Sequence, residues 1–134
     1  EYGHVANYMD QIFDTCQILN IDTLGYNIWQ PTRYNYLNYN VYKEGADHYS
    51  WHTDSVQTTA KGKCRKLSMT LVLNDDWEGS DFELKKTPNT PEMRIPLRKG
   101  ELLVFPSMMN HRVTPLSSGE RKVLVAWAWG PLFK

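Results

Sequence analysis

The sequence predicts a mainly-β domain of the sandwich or jelly-roll class, led by one amphipathic helix that packs on one sheet. Three observations carry this prediction. Apolar residues follow a three-to-four spacing only near the start; beyond residue 33 the spacing becomes period two; and turn-forming residues then recur every eight to twelve positions. At 134 residues, with no internal repeat or low-complexity stretch, the chain reads as one domain, 1–134, able to bury a core without metal or disulfide staples. It opens on Glu1 rather than methionine and enters helical spacing almost at once, which predicts a form shortened at its N-terminus.

The helix is expected over residues 4–19, where Val5, Tyr8, Met9, Ile12, Phe13, Cys16 and Leu19 form one stripe. Asn20, Asp22, Gly25 and Pro31 then break the pattern. The β core is expected over about residues 33–130. Its first strand, Tyr36–Lys43, sets Leu37, Tyr39 and Val41 on one face and Tyr34, Tyr36 and Tyr42 on the other. A turn at 44–47 leads into a strand over His48–Asp54. Ser55–Lys66 has almost nothing apolar and several cations, so it is expected to be an exposed, mobile loop. Leu67, Met69, Leu71 and Leu73 alternate with Ser68, Thr70, Val72 and Asn74, the pattern of a half-buried strand. Trp77 sits in a tight connection to a strand over Asp81–Lys85, and Lys86–Glu92, with Pro88 and Pro91, is a hairpin tip. Met93–Leu97, Glu101–Phe105, His111–Pro115 and Arg121–Trp129 complete a set of about eight strands, with turns at Lys99-Gly100, 106–110 and Ser117–Gly119.

Composition excludes several classes of function. The 15 basic and 15 acidic residues cancel, so no global field draws the chain to nucleic acid or anionic lipid. Two cysteines, Cys16 and Cys64, make no disulfide framework, and no apolar run is long enough for a membrane span or signal segment. The expectation is a cytoplasmic protein.

The chemistry gathers at Tyr49-Ser50-Trp51-His52-Thr53-Asp54. In a strand His52 and Asp54 share a face, which presents a nitrogen and an oxygen side by side. His111, placed after an apolar strand and a turn, is the candidate for a second imidazole. Two histidines and one carboxylate on one side of a metal, with the other positions open, suit a non-haem Fe(II) oxygenase. A bare His-x-Asp pair recurs by chance, so the pair alone is weak evidence, and His4 and His48 read as ordinary imidazoles. Arg121 shares a strand face with Val123, Val125, Trp127 and Trp129, which places a guanidinium at the end of an apolar row, suited to gripping a carboxylate. An ordinary salt bridge to Glu120 or Glu101 is the plainer reading of Arg121, and Lys122 on the opposite face is the rival carboxylate binder.

Taken in order, Tyr42–Gly45, Tyr49–Asp54, Leu73–Gly79, Gly100–Ser107, His111–Leu116 and Gly119–Arg121 closely resemble the prolyl 4-hydroxylase-like branch of the Fe(II)/2-oxoglutarate dioxygenases, bacterial and phage type. The likeness covers about Leu37 to Gly130. It implies a double-stranded β-helix, with His52, Asp54 and His111 as Fe(II) ligands. It further implies 2-oxoglutarate as co-substrate, with its distal carboxylate on Arg121 and on the hydroxyl of Tyr42, together with O2 and ascorbate as a candidate reductant. An extra residue between Gly45 and Tyr49 leaves the tyrosine open between Tyr42 and Tyr39, and Ser80 stands where the family has a second glycine. The implied reaction hydroxylates a C–H bond of a prolyl or other amino-acid residue in a peptide or protein, or of a small molecule, and releases succinate and CO2. Asp54 separates the chain from related halogenases, which lack that carboxylate. Two alternatives remain: a nucleic-acid demethylase of the same superfamily, disfavoured because Trp127 stands where those enzymes carry a second arginine, and a jelly-roll metal- or ligand-binding module without turnover. The loop 55–66 and the hairpin 86–92 are the expected lids over substrate.

Overall fold

Strand pairing organises the molecule. The computed structural model describes residues 2–30, 37–45, 49–55, 57–58 and 61–133, and within these the side chains of all but 2–9, 49 and 57–58. A helix, α1 (Tyr2–Asp22), precedes β1 (Asn38–Tyr42), β2 (Tyr49–His52), β3 (Gln57–Thr58), β4 (Lys63–Val72), β5 (Trp77–Gly79) and β6 (Phe82–Lys85). After these come β7 (Met93–Ile95), β8 (Leu102–Pro106), β9 (Asn110–Val113), β10 (Leu116–Gly119) and β11 (Arg121–Pro131). All pairings are antiparallel. One sheet runs β1-β11-β4-β3, with β8 also paired to β4; a second runs β2-β9-β6-β7; β10 and β5 form a short third. The first two sheets face each other across a core, and the fold is the expected jelly roll.

Both faces of the central pair, β4 and β11, are covered. On one face Leu67, Met69, Ala126 and Ala128 cluster with Phe13 and Cys16 of α1. On the other, Val72 and Val123 join Phe82, Leu84, Phe105 and Val113 between the two sheets. The half-buried strand expected at 67–73 is therefore buried on both sides, and its polar residues Ser68 and Thr70 point inward. Period two distinguishes two faces without saying that one of them meets water.

Other expectations shift at their edges. The helix reaches Asp22 rather than stopping at 19, and Leu19 is exposed while Asn20 is buried. The Asn20 side chain caps the following loop from both sides: its Nδ2 donates to Tyr26 O at 2.8 Å and its Oδ1 accepts from Tyr26 N at 2.9 Å. An amide paired in this way is buried at little cost. The exposed loop expected to run to Lys66 ends earlier, because Lys63–Lys66 belongs to β4, where Cys64 is buried and the Lys66 ammonium lies 4.4 Å from the Phe133 ring centroid. Ser117–Gly119, read as a turn, forms β10 with Leu116 and pairs with β5, the Trp77 segment. Ser80, at the position of the missing glycine, takes a left-handed φ of 50°. Tyr34, Tyr36 and His48 lie outside the described residues.

A β-bulge lies beside the site. On β11 Ala128 pairs with Leu67 and Trp129 with Arg65, so Lys66 is the extra residue. Its carbonyl accepts the Ser107 N–H at 3.0 Å, which ties the turn after β8 to β4.

Candidate active site

β2 and β9 bring the two histidines together. His52, the last residue of β2, is the register partner of His111 on β9, and their ring centroids are 4.2 Å apart. Asp54 lies two residues past the end of β2 rather than inside a strand, so strand parity does not place it. Its backbone N–H donates to Ser107 O at 2.9 Å instead. The carboxylate then turns Oδ1 toward His52 Nε2 at 3.5 Å and His111 Nε2 at 3.3 Å.

The three groups fit a divalent metal. One ligand atom from each of His52, Asp54 and His111 lies within 4.8 Å of the others. Bonds of about 2.1 Å place neighbouring ligands roughly 3.0–3.4 Å apart, so the separations of 3.5 and 3.3 Å are close to those around a bound ion. The imidazole tautomers agree: His52 Nδ1 lies 2.6 Å from Ser50 O and His111 Nδ1 3.1 Å from Met109 O. A carbonyl accepts only from N–H, so Nδ1 carries the proton on each ring and Nε2 offers its lone pair toward the common point. His111 is buried against Phe82 and Phe105, whereas His52 stands 39% exposed at the rim.

Oδ2 of Asp54 faces away from the histidines. It accepts from Ser68 Oγ at 2.7 Å and Trp127 Nε1 at 3.1 Å. Burial pushes the Asp54 pKa up, but with no metal present a protonated His111, together with the Ser68 hydroxyl and the Trp127 N–H, outweighs it and holds the carboxyl at about 2. Ser68, Ser107 and Trp127 were not singled out as partners of Asp54 by sequence reasoning. For Ser68 the signal was the polar side of the 67–73 alternation.

A cavity of about 280 Å³ extends from the triad to Arg121 and is lined on the way by Tyr42, Thr70 and Val125. Arg121 is 2% exposed, and its guanidinium lies 5.3 Å from the Tyr42 and Trp77 ring centroids. Its Nε is buried without a hydrogen-bond partner, and no carboxylate among the described residues pairs with it, which removes Glu120 and Glu101 as salt-bridge partners. Burial lowers its pKa, and interaction with Tyr42 opposes that shift. Tyr42, the register partner of Arg121, is buried, whereas Tyr39 is 56% exposed and off the cavity. Lys122 lies on the other face of β11. Beyond the triad, Arg65 stacks on Trp127 with 3.8 Å between the guanidinium carbon and the ring centroid.

Residues 36–129 match the family model of the 2OG-Fe(II) oxygenase superfamily. A PKHD-type hydroxylase of Synechococcus sp. strain CC9902 is 38% identical over 86 residues, which cover 63% of this chain and 37% of that protein. Another, of Hyphomonas neptunium, is 36% identical over 86 residues, 60% of this chain and 37% of that protein. The chain thus spans little more than a third of the length of these curated relatives. Among solved structures, a Pseudomonas putida prolyl-4-hydroxylase superposes with a TM-score of 0.70 at 22% identity, over 92% of this chain and 64% of that one, a likeness of fold. A prolyl 4-hydroxylase of Phytophthora capsici gives 0.67 at 25% identity, over 85% of this chain and 38% of that one.

Proposed function

Because the chain belongs to the 2OG-Fe(II) oxygenase superfamily, we propose that it is the core of an Fe(II)- and 2-oxoglutarate-dependent hydroxylase acting on a C–H bond of an amino-acid residue, prolyl first, in a peptide or protein. One observation carries the reading: a single cavity has the converging His52, Asp54 and His111 at one end and, at the other, a buried guanidinium with no carboxylate partner among the described residues. The donor set suits Fe(II), and Arg121 suits the distal carboxylate of 2-oxoglutarate.

In this reading His52, Asp54 and His111 hold the metal, and Arg121 with the Tyr42 hydroxyl holds the co-substrate. When bound, iron, 2-oxoglutarate and O2 supply the oxidising power, with succinate and CO2 as by-products and ascorbate as a reductant. The chain's own residues bind and orient. Phe82 and Phe105 wall the buried side of His111 from water, so that approach to the metal is from the His52 rim. The names of the PKHD-type hydroxylases support a hydroxylation, and those of the prolyl 4-hydroxylases an amino-acid substrate. We also place the protein in the cytoplasm, since Cys16 and Cys64 are both free and no helix among the described residues is long and apolar enough to cross a membrane.

The test is turnover. Protein loaded with Fe(II) should consume O2 and release succinate from 2-oxoglutarate, and one member of a peptide and metabolite library should gain sixteen daltons. His52→Ala and Asp54→Ala should abolish both. Metal binding without succinate release under any substrate would leave the non-catalytic module, and oxidation of methylated nucleic acid in preference to peptides would leave the demethylase.

A further inference from the structure

A triad of this type works only if its carboxylate gives the metal one oxygen and keeps the other back, since a chelating carboxylate would take a position that co-substrate or O2 needs. Asp54 gets no help from strand geometry, because β2 ends at His52. The two oxygens are nevertheless sharply divided. Oδ1 faces both Nε2 atoms, while Oδ2 receives the Ser68 hydroxyl at 2.7 Å and the Trp127 N–H at 3.1 Å. A carboxylate oxygen has two lone pairs, and on Oδ2 both are engaged.

The direction of the network can be worked out. Ser68 has one proton, and it is committed to Asp54. In the 3.0 Å contact between Ser68 Oγ and Ser107 Oγ, the donor is therefore Ser107. Both serines are buried, so water does not compete for these bonds. Ser107 also takes the Asp54 N–H on its carbonyl and gives its own N–H to the bulge residue Lys66. The turn after β8 thus grips Asp54 twice, at the backbone directly and at the side chain through Ser68. On the other side, Trp127 is backed by the Arg65 guanidinium at 3.8 Å, which steadies the indole.

We propose that Ser68, Ser107 and Trp127 form a clamp that holds Asp54 as a one-oxygen ligand and so keeps the metal's remaining positions open. These are positioning residues. The proposal rests on the metal-binding reading of the triad, and the experiment separates the failure of one from the failure of the other.

Mn(II) alone serves as the probe, with two measurements on the full chain: its dissociation constant, and the number of exchangeable waters on the bound ion from water-proton relaxation. Ser68→Ala should lose about one water relative to wild type, as the released Oδ2 swings onto the metal. Trp127→Phe and Ser107→Ala should lose a fraction of one, and Ser68→Thr, which keeps the hydroxyl, should restore the wild-type count. Affinity should change by less than about 100-fold in any variant. A structural role alone would alter melting temperature and affinity and leave the water count unchanged. If Ser68→Ala does not fold, Trp127→Phe and Ser107→Ala decide the matter on the same count. Mn(II) bound with the wild-type count in all the folded variants overturns the clamp alone. No Mn(II) binding by wild type overturns the metal reading and the clamp together.

Discussion

Replacing Arg121 should cost far more in co-substrate binding than in anything else. The guanidinium is 2% exposed, lies 5.3 Å from the Tyr42 and Trp77 ring centroids and has no carboxylate partner among the described residues, so water cannot take over the role it plays toward a bound anion. Removing one side of a desolvated charge pair costs about 2–5 kcal/mol, roughly thirty-fold to several thousand-fold in dissociation constant. The burial places Arg121→Ala in the upper half of that range. Tyr42→Phe removes a hydrogen bond to a charged carboxylate, worth about 1.5–3 kcal/mol, and should weaken binding by roughly ten- to 150-fold. Lys122→Ala, on the opposite face of β11, should change it by less than about two-fold. The assay is calorimetric titration of 2-oxoglutarate into Mn(II)-loaded protein, with Mn(II) affinity measured first as a control, since Arg121 is no part of the triad. Arg121→Met adds a second arm. A buried charge without a carboxylate partner destabilises the protein without ligand, so a side chain of similar length and no charge should leave the melting temperature equal or higher while binding is lost. If Arg121→Ala binds 2-oxoglutarate like wild type, or if Lys122→Ala is the variant that fails, the assignment of the carboxylate anchor is wrong.

Two further outcomes follow from the packing. Burial pushes the Cys16 thiol from 9.0 to about 11. Because the folded value is the higher one, this stabilisation is complete below about pH 8, and roughly 2–3 kcal/mol of it disappears as pH rises through 11. The stability gap between wild type and Cys16→Ala, measured by urea unfolding, should narrow by that amount from pH 8 to pH 11; a gap independent of pH would refute it. Gly119 and Gly100 both have left-handed φ, 80° and 85°, yet a methyl at Gly119 would meet Asp76 O at 2.3 Å whereas at Gly100 it would meet nothing within 4 Å. Gly100→Ala should therefore cost only the backbone term, about 1–2 kcal/mol, and Gly119→Ala clearly more; equal melting temperatures would contradict the close approach of Asp76 to Gly119.

The sequence made the residues of the site legible and left their support hidden. His52, His111 and Arg121 could be placed because each is tied to strand periodicity or to a turn boundary. Asp54 was set beside His52 by strand parity, whereas it lies past the strand end and is held there by Ser107. Ser68 and Thr70 looked like the wet side of a half-buried strand, because alternation does not reveal that α1 covers the other face. The bulge at Lys66 and the β5–β10 pairing were invisible for a related reason. Both depend on contacts between segments distant in sequence, which no local pattern records. Asn20 was read as a helix breaker from its type, whereas its side chain satisfies Tyr26 six residues on and lets the helix continue to Asp22.

These departures share a physical cause. A strand that buries both faces would be expected to carry apolar residues throughout, and β4 does so on the α1 side while setting Ser68 and Thr70 toward the cavity. Buried hydroxyls are tolerated when paired, and Ser68 is paired through Asp54 and Ser107. Arg121, in the same cavity, differs: its buried Nε finds no hydrogen-bond partner among the described residues. The two ends of one cavity therefore differ in kind. At the triad end the polar groups satisfy one another and hold a geometry in advance, whereas at the Arg121 end a charge is held without a carboxylate among the described residues. On the proposed reading, the metal ligands would be set before binding and the carboxylate anchor completed by the ligand itself. It follows that Mn(II) should raise the melting temperature of the metal-free chain, that 2-oxoglutarate should raise that of the Mn(II)-loaded protein further, and that Arg121→Met should erase the second increment and leave the first intact. Loss of both increments in Arg121→Met would mean that the two ends are not separable and would refute the division.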